Sequence, residues 1–329
     1  MKSVVIGAGS DLGVHIDGAK LGPTQLINDI KSFYKGEIIE FQQDSSIIKS
    51  RNISDRSKNR YEITELNEKM YNSIVDKMKQ GYFPITLGGD HTVAIASSLA
   101  DAKINEDVGI IWIDAHGDYN TFKTTITGNI HGLPLAAITG YECEDLRLFH
   151  RGEIIQPAKA VIVGARSLDK AEAENLKYSG VTVFTTEDIK KEGVENIMKK
   201  AFDIAGYKTR SIHISYDLDV IDPEFAPGVS VPEFDGINTD EAMEICDYII
   251  EHFDKVTSYD IVELNPLRDV SRKTEQIALN ILAKTINKIN ELEDKEIEEP
   301  LYWFLFFIRF FLLLFLFVNR LNHITLKYL

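Results

Sequence analysis

Four segments rich in Asp, Glu and His constrain the fold most strongly, because each directly follows a short run of apolar, often β-branched residues. The runs are Phe83–Leu87, Val108–Ile113, Ser211–Tyr216 and Val256–Val262, and they lead into the motifs GGDH, DAHGD and DLD and into Glu263. In open α/β sheets, ligands bind at the carboxyl ends of the strands. The sequence therefore predicts that these four segments meet at one edge of a sheet.

Further short strand-like runs alternate with helical patterns along most of the chain, which predicts a mainly parallel sheet covered by helices on both faces. The additional strands are expected at Val4–Ile6, Glu37–Phe41, Ala160–Val163 and Val181–Phe184. Helices are expected at Thr24–Tyr34, Glu62–Lys79, Thr92–Asp101, Asp169–Tyr178, Glu187–Ala205, Thr239–Phe253 and Arg272–Glu291. Pro23 and Thr239 occupy positions that favour the start of a helix. The polar stretch from Ser45 to Arg60 is expected to be a surface loop.

The charge balance excludes some partners. The chain has 36 Lys and Arg against 51 Asp and Glu, a formal net charge of −15, which disfavours binding to nucleic acid and favours a cationic or zwitterionic small molecule. Cys143 and Cys246 are too few for a disulfide framework, and the N-terminus lacks the long apolar stretch of a secretory signal. We expect the folded part of the chain to be cytoplasmic.

The glycine cluster from Gly7 to Gly13 follows a predicted strand, but its spacing differs from a dinucleotide-binding fingerprint. Leu12 stands where the third glycine would let the following helix pack closely against the strand. The cluster is therefore interpreted as a tight structural loop.

The composition changes abruptly near the C-terminus, which predicts a catalytic domain over residues 1–295 and a separate segment over 296–329. An acidic stretch from Glu291 to Glu299 precedes 18 apolar residues, Leu301 to Val318, interrupted only by Arg309. A membrane-spanning helix needs roughly 17–25 such residues. Three interpretations stay open for this tail: a membrane anchor, a helix buried in an oligomer, or a non-native extension.

The polar segments themselves predict a metal site. Asp114, His116 and Asp118 alternate along the chain and so can point to one side, as can Asp217 and Asp219. A single His after Gly-Gly-Asp more often caps a helix, but several carboxylates at one edge repel one another unless cations neutralise them. A mixture of imidazole and carboxylate suits Mn²⁺, with Zn²⁺ or Fe²⁺ as alternatives, and bridging carboxylates favour a pair of ions.

The motifs GGDH, DAHGD and SYDLDVIDP resemble, in the same order, the three metal-binding signatures of the ureohydrolase family, which includes arginases, agmatinases and formimidoylglutamases. The resemblance extends from about Val4 to Asn290. It implies a three-layer α/β/α sandwich that assembles as a trimer or hexamer and holds two Mn²⁺ ions. One ion would be bound by His91, Asp114, Asp118 and Asp217, and the other by Asp114, His116, Asp217 and Asp219.

The segment from Asp118 to Leu135 is similar to the corresponding loop of arginases. This similarity implies that the substrate α-carboxylate is contacted by Asn120, Thr125, Thr127 and Asn129. It further implies that Asp169 and Glu172 face the α-amino group, that Glu263 accepts the guanidinium, and that His131 transfers a proton, with His131, Glu263 and Asp118 as the catalytic residues. Two alternatives remain: the loop residues satisfy their own backbone, and Asp169 caps the following helix.

Two features depart from the arginase pattern. Ser167 stands where Asp is common, and the segment from Ala226 to Pro232 has a Gly-Val-Ser form that is common in formimidoylglutamases. The resemblance implies hydrolysis of a guanidino C–N bond, with L-arginine as the expected substrate and L-ornithine and urea as products. The alternatives are an agmatinase, a formimidoylglutamase, or a catalytically silent scaffold tethered to a membrane.

Overall fold

The computed structural model describes residues 2–50, 52 and 55–294. The apolar tail from Leu301 to Val318, for which a membrane anchor, a packed helix and a non-native extension were considered, lies outside the described residues. No helix in the described part of the chain is both long and apolar enough to cross a membrane.

An eight-stranded sheet forms the centre of the protein, and every neighbouring pair of strands is parallel. The strands are β1 (Lys2–Gly9), β2 (Glu37–Gln42), β3 (Tyr82–Gly88), β4 (Val108–Ile113), β5 (Ala160–Ala165), β6 (Thr182–Thr185), β7 (Ser211–Asp217) and β8 (Val256–Val262). Their order across the sheet is β2-β1-β3-β8-β7-β4-β5-β6. All eight strands expected from the sequence are present.

Alternate residues of the buried strands belong to two separate apolar cores, one on each face of the sheet. On β4, Ile111 and Ile113 join one core, while Ile110 and Trp112 join the other. Because both faces are covered, the strands are apolar almost throughout instead of alternating with polar residues.

The helices form the two outer layers of a three-layer α/β/α sandwich. The layer that shares the core of Ile111 contains α1 (Gly22–Ile30), α6 (Thr186–Glu192), α7 (Val194–Ala205), α8 (Thr239–Glu251) and α9 (residues 273–294). The opposite layer contains α2 (Arg60–Lys79), α3 (Ala94–Asn105), α4 (Pro134–Ile138) and α5 (Lys170–Ser179). This architecture confirms the predicted fold class.

The strand order explains why four distant motifs meet. Strands β3, β8, β7 and β4 are consecutive neighbours in the middle of the sheet, and all of them are parallel. Their carboxyl ends therefore lie along one edge, and the polar residues that follow each strand converge there.

Three local expectations were wrong, the third of them at the start of α8. The helix expected over Glu187–Ala205 is divided into α6 and α7 at Gly193, whose φ of +84° and extended ψ of 154° interrupt the helix. Gly7 and Gly9 belong to β1, so the loop of the glycine cluster begins only at Ser10. The described residues between Ser45 and Asn59 form a loop, as expected, and within it Lys58 is only 3% exposed.

Helix α8 begins differently from the sequence expectation, which placed the N-cap hydroxyl at Thr239. Asn238 is the N-cap: its Oδ1 accepts a hydrogen bond from the Glu241 backbone N–H at 3.0 Å. Glu241 Oε2 in turn accepts from the Asn238 N–H at 2.8 Å. This reciprocal capping box satisfies two N–H groups that the helix itself leaves unpaired.

The cap gives a stability prediction. Replacing Asn238 with Ala removes the side-chain acceptor and should lower the free energy of unfolding by about 1 kcal/mol, while Thr239→Ala should change it by less than about 0.5 kcal/mol. Urea denaturation followed by circular dichroism measures both values. Equal losses in the two variants would contradict the assignment of the cap to Asn238.

Candidate active site

Tight backbone turns directly after the central strands position the side chains of the site. After β3, the Asp90 side chain accepts from the Thr92 N–H and starts a single 3₁₀ turn that begins at His91. After β8, Glu263 adopts a left-handed backbone with φ of 68°, and its N–H donates to the Gly89 carbonyl at 2.8 Å. Asp118 is also left-handed, with φ of 48°. Such strained residues are often found where function requires a fixed geometry.

The first predicted ligand group surrounds His91. Its Nδ1 lies 3.1 Å from Asp114 Oδ2, 3.2 Å from Asp118 Oδ2 and 3.0 Å from Asp217 Oδ2. These side chains come from three strands and are all almost completely buried. His91, Asp114 and Asp118 are close enough for one ion to bind all three.

The second predicted group surrounds His116. Its Nδ1 lies 3.4 Å from Asp114 Oδ1 and 3.0 Å from Asp219 Oδ2, and these three side chains could also hold one ion. Asp114 therefore presents one oxygen to each group. Asp217 presents Oδ2 to His91, while its Oδ1 accepts the Asp219 N–H at 2.8 Å.

The electrostatics of this cluster favour a bound cation. Burial, followed by the charges of Asp219 and Asp114, raises the pKa of Asp217 well above its usual range. Burial and the charge of Asp114 also raise the pKa of Asp118 to about 6. His91 Nδ1 and Asp118 Oδ2 are buried and have no hydrogen-bond partner among the described residues. Two ligand atoms that lie 3.2 Å apart among crowded carboxylates without a hydrogen bond fit a divalent ion.

The His91 ring is held from two sides. Its Nε2 lies 2.9 Å from Ser215 Oγ, and the ring stacks on the Trp112 indole with centroids 3.9 Å apart and planes at 9°. A hydrogen bond at Nε2 leaves the Nδ1 lone pair facing the carboxylates, which is the arrangement that metal-binding histidines need.

A cavity of about 270 Å³ opens beside the two ligand groups. Its wall includes the metal-ligand candidates His116 and Asp118 and all six residues predicted for the α-amino and α-carboxylate groups, together with His131. The six are Asn120, Thr125, Thr127, Asn129, Asp169 and Glu172. The structure thus brings together residues that are up to 56 positions apart (116 to 172) in one concave site.

The local alternatives stated for these residues are also present. Thr125 Oγ1 accepts the Gly128 N–H at 3.1 Å, and Thr127 Oγ1 accepts the Asn129 N–H at 3.1 Å. Asp169 is the N-cap of α5, and its N–H donates to Glu172 Oε2 at 3.3 Å. These bonds shape the cavity wall, and each threonine hydroxyl keeps its proton available as a donor.

Glu263 is placed behind His131 and is not part of the cavity wall. Its Oε1 accepts the His91 N–H at 2.9 Å and lies 3.0 Å from His131 Nδ1. Burial opposes the charge on His131, but the neighbouring Glu263 raises the pKa of this imidazole above its usual value. Glu263 Oε2 is buried without a hydrogen-bond partner among the described residues.

Sequence reasoning missed several residues of the site. His15 lines the cavity and lies 2.9 Å from Asn129 Nδ2, and Lys58 donates to the Thr127 carbonyl. Both belong to loops with no recognisable motif. Ser215, by contrast, stands two positions before Asp217 on β7, and the period-two alternation of a strand could have placed it on the same face.

Comparison with known proteins agrees with the geometry. Residues 1–287 match the model of the Arginase family. An arginase of Brevibacillus brevis is 36% identical over 287 residues, which cover 85% of this chain and 95% of the relative. The chain therefore belongs to the arginase family, whose members are metal-dependent hydrolases.

Solved structures show the same relationship. Arginase from Bacillus caldovelox superimposes with a TM-score of 0.79 at 31% identity, covering 87% of this chain and 98% of that one. Entamoeba histolytica arginase in complex with L-ornithine has a TM-score of 0.77 at 26% identity, with 86% and 99% covered.

The support of His91 gives a second prediction. Ser215→Ala removes the partner of Nε2 and should weaken metal binding by about 10–100-fold, since partners of this kind orient the ligand. Ser98→Ala is the matched control, because its buried hydroxyl has no partner among the described residues and its loss should not alter metal affinity. Metal titration in competition with a chelator measures the affinities. Unchanged affinity in Ser215→Ala would contradict this role.

Proposed function

We propose that this protein hydrolyses L-arginine to L-ornithine and urea. The observation that carries the proposal is one cavity in which a cluster of metal-ligand candidates, an acidic wall and a loop of hydrogen-bond donors adjoin one another. These three features match the guanidinium, ammonium and carboxylate groups of arginine. Relatives named arginase, at 31–36% identity, support the same substrate.

We propose two Mn²⁺ ions as the cofactor. His91, Asp114, Asp118 and Asp217 would hold one ion, and Asp114, His116, Asp217 and Asp219 the other. The two unpaired buried atoms and the mixed imidazole and carboxylate donors support this assignment. When bound, such a pair supplies hydroxide near neutral pH by lowering the pKa of water.

At the reacting end, the roles of Glu263 and His131 follow from their contact. Glu263 Oε2 is the unpaired oxygen that would accept the guanidinium, while Oε1 orients His131. Hydrolysis adds the oxygen of water to the guanidinium carbon and breaks the bond to the leaving nitrogen. His131, whose imidazole is favoured in its protonated form by Glu263, would give that nitrogen its proton.

At the other end, Asp169 and Glu172 would face the α-ammonium. Burial raises the pKa of Glu172 to about 8, so a neighbouring ammonium stabilises its charged form. Asn120, Thr125, Thr127 and Asn129 would donate to the α-carboxylate. All four residues line the cavity, and their side-chain amide and hydroxyl groups are hydrogen-bond donors.

Two sequence features favour a formimidoylglutamase, the Gly-Val-Ser segment and Ser167, and only some of their residues line the cavity. Ser230 of the Gly-Val-Ser segment is buried and accepts from Asn265 Nδ2 at 3.2 Å, while Val231 lines the cavity. Ser167 also lines it. The polar loop from Asn120 to Asn129 contributes four residues to the wall, more than these two features do, and favours an α-amino acid substrate.

We also propose a homo-oligomeric, trimeric or hexameric, cytoplasmic enzyme whose catalytic unit is residues 1–295. Residues 296–329 would be a linker and an apolar tail, and any membrane contact would depend on that tail. The resemblance in the metal motifs supports the assembly. Two half-exposed aromatic residues, Phe33 and Phe225, also line one surface depression that a second copy could cover.

The substrate is tested by urea release from the full-length protein with Mn²⁺ and, separately, arginine, agmatine, formimidoylglutamate and guanidinobutyrate. Arginine should exceed agmatine in kcat/KM by about 10⁴, because agmatine leaves the carboxylate donors unpaired. Asp169→Ala should lower kcat/KM for arginine without reducing bound metal, whereas Asp114→Asn should lower both.

Each rival has its own outcome in this assay. Equal turnover of agmatine and arginine would contradict the carboxylate site, and formamide release without urea would indicate a formimidoylglutamase. A metal-loaded protein that turns over none of the four compounds would indicate a silent scaffold.

A further inference from the structure

Lys58 places a positive charge directly behind the loop that lines one end of the cavity. Its side chain is buried, and Nζ donates to the Thr127 carbonyl at 2.5 Å. Its Cε lies 3.1 Å from the point that a Cβ on Gly128 would occupy. The ammonium is therefore bound to the peptide that follows the cavity-lining residue Thr127, and the end of the Lys58 side chain packs beside Gly128.

The neighbouring residues hold this loop at several points. Arg56 donates to the Lys123 carbonyl, and the Asp55 carbonyl lies 2.3 Å from the position of a Cβ on Gly128. Gly128 has φ of +71° and therefore tolerates both the conformation and the close approach. Residues 55–58 thus pack against the side of the loop that faces away from the cavity. Lys58 is the residue of this segment whose charge is buried.

The charge of Lys58 is not balanced by an ion pair in the described part of the chain. Asp55 acts on it electrostatically, but Asp55 Oδ1 accepts from the N–H and the hydroxyl of Ser57. A buried ammonium that has only a carbonyl partner is costly, because the carbonyl replaces little of its lost hydration. A negatively charged ligand on the other side of the loop would interact favourably with this ammonium and so offset its desolvation.

The wall opposite this loop contains acidic residues. Asp118, Asp169 and Glu172 contribute carboxylates to the wall, whereas the loop of Thr125, Thr127 and Asn129 contributes neutral donors backed by Lys58. A ligand with ammonium and carboxylate groups would be aligned by this separation of charge. A ligand without the carboxylate would lose its attraction to the end of the cavity that Lys58 makes positive.

We propose that Lys58 is a specificity-determining residue, whose ammonium selects ligands with an α-carboxylate by supplying positive potential through the loop of Thr125 to Asn129. The proposal rests on the proposed function for the nature of the ligand. Lys58 does not touch the substrate, and its effect reaches the cavity through the Thr127 peptide and the electric field.

The test compares two product-like ligands that differ only in this charge, L-ornithine and L-ornithinamide. Isothermal titration of the full-length, Mn²⁺-loaded protein gives their dissociation constants without turnover. Lys58→Met keeps the unbranched side chain to within one atom of its length and removes its charge. It should weaken ornithine binding about tenfold, as expected for a partly screened pair of charges, and ornithinamide binding by less than about twofold.

Two further variants separate charge from structure. Lys58→Arg keeps the charge and should keep the preference for ornithine within about threefold of the original protein. Lys123→Met removes a lysine from the same loop that is 79% exposed and paired with Glu142, and it should leave both dissociation constants unchanged. Thermal unfolding of each variant reports whether the fold is intact.

If Lys58 has a purely structural role, Lys58→Met should weaken the binding of ornithine and ornithinamide equally, and that result would overturn the proposal. Unchanged binding of ornithine would overturn it as well. Failure of the proposed function gives a different pattern. In that case the original protein would release no urea from arginine, or would bind ornithine no better than ornithinamide, before any variant is made.

Discussion

Burial of carboxylates at one edge of the sheet is the constraint that organises this protein. Asp114, Asp118, Asp217 and Asp219 are all at most 4% exposed, and they follow strands that are neighbours in the sheet. The apolar strands hold them away from water, and the resulting repulsion is relieved by protonation of a carboxylate or by nearby positive charge. Burial opposes the charge on His91 and His116, but the neighbouring carboxylates raise the pKa of both imidazoles above the usual value, and bound divalent ions would neutralise the cluster more completely.

The supports around the cluster follow from this constraint. Ser215 and Trp112 fix the ring of His91, and Glu263 holds both the His91 backbone and His131. Because these contacts are buried, they restrict the orientation of each group. Such preorganisation is what a hydrolytic site needs, since the groups do not have to reorganise as charge develops. The strained backbones of Asp118 and Glu263 are part of the same arrangement.

The sequence predicts the strands well because their apolar, β-branched runs are specific to buried parallel sheets, and the motif positions follow from the ends of those strands. It does not predict the break at Gly193, because the helical pattern continues on both sides and only the backbone angle interrupts it. Neighbouring Asn238 and Thr239 are both good caps, so sequence alone did not separate them. His15 and Lys58 reach the cavity from distant loops whose course depends on tertiary packing.

Whether two metal ions share Asp114 is the central claim, and anomalous diffraction at the manganese absorption edge tests it most directly. Crystals of the full-length protein grown with Mn²⁺ should show two anomalous peaks roughly 3.5–4 Å apart. One peak should lie beside His91 and the other beside His116, with an oxygen of Asp114 on each. A single peak, two peaks that do not share Asp114, or no peak at this edge of the sheet would contradict the account.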